Sequence, residues 1–507
     1  MENLTSQFQF IHFATLQQRP PWKPNKTFSF SSSKTLNPDI LRCIPPSSAA
    51  EATSPAKHTT MLVESYHEHR YLSSLLRRLC RRGSCPLRLL QEDGDWSKDH
   101  FWAIVRFLHH SSRFHEILPV FDAWKDIERS RISESNYERI ICLLCKESMM
   151  DEAIRAVRDM NDYGVSPSLK TYNSIIRGFA YDGKFEDAMF YMNQMRENGL
   201  LPVTETYDGL IEAYGKYNMY DEIVTCLKKM ESDGCFPDQV TYNLLVREFS
   251  RGGLLKRMER IYRVLMSRRM TVEPSTLIAM LDAYAEFRVL RKMEDVYRKI
   301  YMFGISLDED LVRKLANIYI DNLMFSRLED LGHGLSSRTC WTDLGWCLRL
   351  LSHACLVSQK GLDSIMRDME EANVRWNTNF ANIVLLAYSK IGNFKLVKSF
   401  LSEIRTRNVK PDLVTIGIIF DLTLEGFDGT GVFMTWKEMG FLDRPAEMNT
   451  DPLVLAAFGK GEFLGSCEEV FRCFDPAAKE SKSWTYQYIM EVVVKHRKTW
   501  AKNVTSL

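Results

Sequence analysis

The sequence predicts an all-α protein, a right-handed α-solenoid of stacked helix-turn-helix repeats that are each 35 residues long. Three observations support this fold. One short motif returns at a fixed interval, each interval holds two stretches with helical spacing of apolar residues, and small or apolar residues recur at one place of the interval. A single helix pair cannot bury its apolar faces alone, so we expect neighbouring pairs to stack.

The returning motif is Thr-Tyr-Asn or Thr-Tyr-Asp followed by apolar residues. It occurs as LKTYNSIIRGF, TETYDGLIEAY and QVTYNLLVREF in three windows that are 35 residues apart. Eleven windows cover residues 99–482, and one of the steps between them is a residue short. They begin at Asp99, Glu134, Leu169, Thr204, Gln239, Pro274, Glu309, Asp343, Thr378, Leu413 and Met448.

Each window is predicted to hold two helices. In the third window Tyr172, Ile176 and Phe179 recur at spacings of three and four residues, which places them on one helical face. Gly183 ends this first helix, and Pro202 follows the second. The twentieth place of the windows, where two helices would cross closely, carries Leu118, Ala153, Ala188, Ile223 and Met258 and further small or apolar residues.

The two ends of the chain differ from the windows. Residues 1–60 hold eight Ser, seven Thr and seven Pro but only three acidic residues, a composition typical of an organellar transit peptide. Because arginine is sparse there, a chloroplast address is favoured over the mitochondrial alternative; a plain disordered tail is the other interpretation. Residues 61–98 are predicted to be N-terminal capping helices, and residues 483–507 a C-terminal capping helix.

The charge balance limits the possible partners. Beyond residue 60 the chain holds 60 Lys and Arg against 62 Asp and Glu, so bulk positive charge cannot hold a nucleic acid. A localised basic stripe remains compatible with this balance. No apolar run reaches the length of about 20 residues that a membrane helix needs, so we expect no membrane partner.

The residue pattern goes further than the periodicity. The stretches VTYNLLVREFSRGG, YNSIIRGFAYDGKFEDA and CLLCKESMMDEAIRAVRDMNDYGVSP resemble pentatricopeptide repeats of the pure, 35-residue type. Together with the leader, the chain is similar to plant organellar proteins of this family. The resemblance implies single-stranded organellar RNA as the partner, with one base recognised by each repeat.

The resemblance also implies which places contact RNA. In this family the second residue of a window packs on the base, and the fifth residue together with the last residue recognises the base edge. One window carries the combination Asn-Asp, which is associated with uracil, whereas the fourth window pairs two carboxylates, Asp208 and Asp238. The candidate RNA-binding residues are Asn382, Asp412, Val414, Asn379, Asn243, Val240 and Asn173.

The predicted function is therefore RNA binding that affects RNA processing, stability or translation without catalysis. The alternative is a plastid scaffold for protein–protein interaction that has lost its RNA code, and other organellar proteins are possible partners. His100, His109, His110 and His115 lie close in sequence but are not spaced as converging ligands. We predict no catalytic residue, no metal site, no cofactor and no small-molecule substrate.

Overall fold

The computed structural model describes residues 70–504 except residues 82, 336–341, 408 and 474–483. The predicted transit peptide, residues 1–60, lies outside the described residues, as do residues 61–69 of the predicted N-terminal cap. The regular secondary structure of the described part is helical, and an isolated antiparallel bridge joins Pro445 to Thr485. The predicted all-α repeat architecture is confirmed.

The chain divides into two compact units after residue 279, within one helix. Residues 70–79 are helical as well. The helices up to the division are α1 Pro86–Asp93, α2 Lys98–His110, α3 Ile117–Ile127, α4 Glu134–Lys146, α5 Met150–Asp162, α6 Leu169–Tyr181, α7 Phe185–Glu197, α8 Thr204–Lys216, α9 Tyr220–Ser232, α10 Gln239–Arg251, α11 Leu255–Ser267 and α12 Pro274–Glu286. Short 3₁₀ helices occupy Phe114–Glu116 and Arg129–Arg131.

The second unit continues with helix pairs and becomes irregular near its end. Its helices are α13 Leu290–Met302, α14 Glu309–Asp321, α15 Ser326–Gly334, α16 Asp343–Cys355, α17 Gln359–Glu371, α18 Thr378–Ile391, α19 Phe394–Thr406, α20 Leu413–Leu424, α21 Thr430–Glu438, α22 Pro452–Phe458, α23 Gly461–Cys473 and α24 Tyr486–Val504. Among the described residues, no helix is long and apolar enough to cross a membrane.

The first helix of each pair begins where the 35-residue step places it from the second to the tenth window, Glu134 to Leu413. A polar last residue of the preceding window caps several of these helices. Ser168, Asp238 and Asp308, for example, accept a hydrogen bond from the backbone N–H three residues later. Such caps satisfy one of the four backbone donors that a helix N-terminus leaves free.

The returning Thr-Tyr motif packs inside the repeats. Tyr172 and Tyr207 are 2% and 0% exposed, and their hydroxyl groups contact Asn198 and Asp233 at the end of the second helix of the same repeat. The apolar residues at the twentieth place are buried as well, including Ala153 and Ala188 at 0% exposure. The tyrosine thus joins the two helices of one pair, whose small residues allow close approach.

First helices also stack on first helices. In the first unit α6 packs between α4 and α8, and α8 packs in turn against α10. In the second unit α18 packs between α16 and α20. Each unit is therefore a stack of helix pairs in which the first helices form a continuous row.

The register fails in the eleventh window. Its first helix, α22, begins at Pro452 and packs against α14, α16 and α18, the first helices of three earlier windows. It is α23 that packs against α20 and against the C-terminal helix α24. We call residues 447–458, which include α22, the strap. Where the leader ends and which helices serve as caps remain predictions.

Candidate nucleic-acid interface

One side of each first helix can face a ligand that runs along the row. In each window, the residues three, seven and eleven positions after the second residue lie on the same side of the first helix as that second residue, because a helix turns once in about 3.6 residues. We call the second, fifth, ninth and thirteenth residues of every window the first-helix face. This face includes two of the three places that the resemblance assigns to RNA contact.

In the first unit the first-helix face is largely exposed at its second and thirteenth places, and most of the residues there are polar. Val240, at the second place of the fifth window, is 52% exposed. Lys146, Lys216 and Arg251, at the thirteenth place of three windows, are exposed as well. An apolar side chain and a cation on one open face are the groups that a base and a phosphate require.

Arg251 Nη1 itself lies 2.7 Å from Glu248 Oε1. Ion pairs along the row of first helices neutralise other charges of this face. They leave a surface with few uncompensated charges, consistent with the balanced composition of the chain, and each exposed pair stabilises the fold only slightly. The pairs are Lys170 Nζ with Glu138 Oε1 at 2.9 Å, Arg177 Nη2 with Glu212 Oε2 at 2.7 Å and Arg247 Nη1 with Glu273 Oε2 at 2.5 Å.

The two predicted asparagines of the first unit are buried. Asn173 is 7% exposed, and its Oδ1 accepts a hydrogen bond of 2.7 Å from Thr206 in the next repeat. Asn243 is 0% exposed; its Nδ2 donates to backbone oxygens of Gln239 and Thr271, and its Oδ1 accepts from Glu273 N–H. Both side chains support stacking in this structure, and their contact with a base remains a prediction.

Asp208 is the acidic residue at the fifth place of the fourth window. Its Oδ1 is buried without a hydrogen-bond partner. The pKa of this carboxyl group is raised to about 6, chiefly by burial; a hydrogen bond from Thr241 lowers it and the charge of Asp238 adds to the rise. This repeat therefore presents a poorly solvated carboxylate at the place where the resemblance puts a base-recognising group.

The second unit encloses its predicted pair. Asn382 and Asp412 are both 0% exposed, and Asn382 Nδ2 donates to Asp412 Oδ1 at 3.0 Å. The other carboxylate oxygen, Oδ2, accepts from Asn449 N at 3.0 Å and from Thr450 N at 2.9 Å. The hydroxyl group of Thr450 accepts from Asn382 Nδ2 and donates to Asp412 Oδ2, both at 2.7 Å.

Helix α20 completes this network. Thr415 N donates to Asp412 Oδ1 at 2.9 Å, which makes Asp412 the N-cap of the helix. The Thr415 hydroxyl lies 2.8 Å from Asn382 Oδ1. Since the polar groups of both side chains bind protein atoms, a base reaches this pair only after the strap moves. The assignment of the pair to uracil remains a prediction, but the geometry favours a structural role.

The last two predicted residues also contact other parts of the second unit. Asn379 is partly buried, and its Oδ1 accepts a hydrogen bond of 2.7 Å from Asp451 N. Val414 is 2% exposed and lies in the core at the start of α20. Of the seven candidate residues, Val240 therefore has the most exposed side chain.

Two features were missed from the sequence. The polar last residue of a window was interpreted only as a base-recognising group, although the preference of helix N-caps for Ser, Thr, Asp and Asn was available as a signal. The strap was assigned to a regular window, and no periodic pattern marks its return to α14, α16 and α18. The described residues contain no group of three or more side chains suited to hold a metal ion.

Fold and face together define an α-helical repeat protein that presents one side of its first helices in a 35-residue register. The chain belongs to the pentatricopeptide repeat family. It is 69% identical over 507 residues to an Arabidopsis thaliana pentatricopeptide repeat-containing protein named as chloroplastic, with coverage of 98% of this chain and 100% of the relative. The predicted chloroplast location is confirmed by this relative.

Two family models match parts of the chain. Residues 110–281 match the pentacotripeptide-repeat region of PRORP, and residues 364–423 match a pentatricopeptide repeat domain.

Solved structures give more distant similarities. The pentatricopeptide repeat protein PPR10 in complex with an 18-nt psaJ RNA element shares 18% identity at a TM-score of 0.40, covering 79% of this chain and 56% of that chain. Yeast Rmd9p in complex with a 16-nt target RNA shares 11% identity at a TM-score of 0.20, covering 61% of this chain and 71% of that one. The chain thus spans about half the length of the PPR10 chain.

Proposed function

We propose that this protein binds single-stranded chloroplast RNA along the first-helix face of its first unit and thereby affects RNA processing, stability or translation. The observation that carries the proposal is the open row of first helices, with exposed Val240 and exposed cations at one repeated place. Repeats of this family bind single-stranded RNA one base at a time through side chains of their helices.

Contacts of two kinds would hold the RNA. Val240 offers an exposed apolar side chain on which a base can pack, next to Asn243 and one window after Asp208. Lys146, Lys216 and Arg251 lie about three turns further along their helices, where they would neutralise backbone phosphates. Because Asn173 and Asn243 are bonded within the protein, recognition by their amides requires that these hydrogen bonds be exchanged for bonds to a base.

The proposed protein acts by binding and carries out no reaction of its own. The family model that names PRORP describes a repeat region, and its match to residues 110–281 covers helix pairs of the first unit. RNA that is bound along these repeats would be shielded from nucleases or held open for other factors.

Crosslinking in chloroplasts tests this proposal. RNA that is crosslinked to the protein is recovered and sequenced, and an untagged chloroplast preparation serves as the control. We expect strong enrichment of a few transcripts, each at a short defined segment. Recovery equal to the control, together with one defined protein complex in the same preparation, would instead identify the protein as a scaffold.

A further inference from the structure

The strap packs against the first helices of three successive windows, the seventh to the ninth, and contacts the fifth residues of these windows. In the seventh window the other residues of the first-helix face, Asp310, Asn317 and Asp321, stay exposed. The fifth residues of these windows are Arg313, Cys347 and Asn382, and each lies next to the same short segment. Arg313 Nη1 binds Asp451 Oδ2 at 2.6 Å, and Asn382 Nδ2 binds Thr450 Oγ1 at 2.7 Å. Cys347 is 3% exposed, and its thiol lies within the electrostatic influence of both Asp451 and Arg313.

Backbone amides of the strap bind side chains at the places that the family uses for bases. Asp451 N donates to Asn379 Oδ1 at the second place, and Thr450 N donates to Asp412 Oδ2 at the last place. At the thirteenth place, Lys390 Nζ lies 4.7 Å from the ring centroid of Phe458. In the ninth window the strap therefore follows the first-helix face from the base-recognising places to the thirteenth place, where other windows carry exposed cations.

The residues under the strap are suited to a protein cover. In the eighth window the second, fifth and ninth residues are Leu344, Cys347 and Leu351, which are apolar and 4%, 3% and 0% exposed. Leu453 and Val454 of α22, which packs against this window, are 2% and 0% exposed. Burial of such side chains removes apolar surface from water, so the strap is held by a hydrophobic contact as well as by polar ones.

The strap is also fixed at its beginning. Ala446 N donates to Trp484 O at 2.8 Å, and Glu447 N donates to the Tyr486 hydroxyl at 3.0 Å. Leu413 N, at the start of α20, donates to Glu447 O at 2.9 Å. The strap thus leaves an anchored point beside the C-terminal helix and runs back across earlier repeats.

We infer that the strap takes the place of RNA on the seventh, eighth and ninth windows, so that these repeats recognise no base and the RNA site is confined to earlier windows. The inference rests on the RNA-binding function proposed above. It assigns Asn382 and Asp412 to an internal clasp that holds the strap. It also predicts that the bound RNA segment is shorter than the number of helix pairs implies.

The test compares the full chain with a strap variant that carries Thr450→Val and Asp451→Asn. A matched control carries the same two exchanges outside the clasp, Thr435→Val and Asp443→Asn, at residues of α21 and the following loop. Arg313→Ala opens the ion pair from the opposite side and is used in case the double variant fails to fold. The RNA probe is the set of sequences that the full chain selects from a random single-stranded pool.

Labelling of the Cys347 thiol reports on the strap without any RNA. A buried thiol reacts only when its cover opens, so we expect Cys347 to resist labelling in the wild type and in the matched control. In the strap variant it should react about tenfold faster, since the variant loses buried hydrogen bonds. Rapid labelling of Cys347 in the wild type would overturn the inference.

Nuclease protection of the selected RNA then measures the length of the site. Because each repeat binds one base, we expect the strap variant to protect a segment longer by about three nucleotides on one side only. In the wild type, RNA should leave hydrogen exchange of residues 452–458 unchanged. Two results would contradict the inference that the strap excludes RNA. One is an equal protected RNA length in a strap variant whose Cys347 is labelled rapidly. The other is faster hydrogen exchange of the wild-type strap when RNA is bound. If neither protein selects RNA, the proposed function fails, while Cys347 labelling still reports whether the strap is seated.

Discussion

The two units use the same 35-residue register and differ in what covers their first helices. In the third window the second and ninth residues are Lys170 and Arg177, both exposed and charged. In the eighth window the same places hold Leu344 and Leu351, both buried beside α22. The same place of a window is therefore exposed in the third window and buried in the eighth. The strap, which covers it in the eighth window, lies more than a hundred residues further along the chain.

The comparison also explains why the best sequence match is enclosed. Asn382 and Asp412 have the polar atoms that a base edge needs, and for the same reason they can bind the backbone of the strap. A buried carboxylate without a cation requires several donors, and strap and helix α20 supply them together. Residues that match a recognition code are thus equally suited to an internal contact.

The largest expected effect concerns the last residues of two windows, Asp412 and Asp238. Asp412→Ala leaves several buried donors without an acceptor and should destabilise α20 by about 3 kcal/mol. Asp238→Ala removes only the N-cap of α10 and should cost about 1 kcal/mol or less. Opening free energies of the two helices from amide hydrogen exchange measure both effects. Equal losses at the two sites would contradict the enclosed clasp.

The RNA affinity of a variant that lacks the enclosed pair sharpens the distinction. The combination Asn382→Ala and Asp412→Ala removes the clasp, but it should leave the affinity for the selected RNA unchanged at fixed salt because that RNA is bound by earlier windows. If RNA binding instead weakened by about 1–3 kcal/mol and the base preference changed, the pair would be shown to recognise a base.

The next largest effect is expected at Asp208 in the open unit. Asp208→Asn removes a carboxylate that repels phosphate and creates an Asn-Asp combination with Asp238, so RNA affinity should rise by about 1 kcal/mol. The wild-type affinity should also rise as the pH falls through about 6, the pKa to which burial raises this carboxyl group. The variant should lack that rise. Glu197→Gln in the second helix α7 removes the same charge elsewhere and should change little.

A smaller effect is expected at the thirteenth place, where the two units offer a matched pair of lysines. Lys216→Ala should weaken RNA binding about threefold and reduce the slope of log affinity against log salt by about one. Lys390→Ala, beside Phe458 of the strap, should change neither quantity. Binding titrations at several salt concentrations measure this difference. A loss at Lys390 as large as that at Lys216 would place RNA on the second unit.

A final effect concerns the stability of the first unit as a function of pH. Since the pKa of Asp208 is raised from 3.8 to about 6 in the folded protein, the folded state holds this proton more tightly than the unfolded state does. The resulting stabilisation is present below pH 3.8 and is lost as the pH rises through about 6. Between pH 5 and pH 8 the loss should be at most about 1.4 kcal/mol, the equivalent of one pKa unit, because part of the transition lies below pH 5. Hydrogen exchange of α8 at pH 5 and pH 8 should show it in the wild type but not in Asp208→Asn.

The helical architecture was predictable because its signals are local. Apolar spacing within Tyr172 to Phe179 and the start of α10 at Gln239 depend on residues that lie a few positions apart. The burial of Asn173 and Asn243 was not predictable, since their partners Thr206 and Thr271 belong to a neighbouring repeat or to the loop before it. An amide that is bonded within the protein and one that is free for a base have the same sequence pattern.

Sequence alone was enough to establish the helical repeat, its length, the family of the chain and, in the regular windows, the face that the first helix presents. These properties follow from periodicity, since a helix turns at a fixed rate and each pair must bury its apolar side on its neighbours. Which part of the first-helix face stays open depends on contacts between residues far apart in the chain. The return of residues 447–458 to α14, α16 and α18 depends on contacts such as Arg313 with Asp451, 138 residues apart. Contacts at that separation leave no period in the sequence, so the repeat pattern does not show where the strap lies.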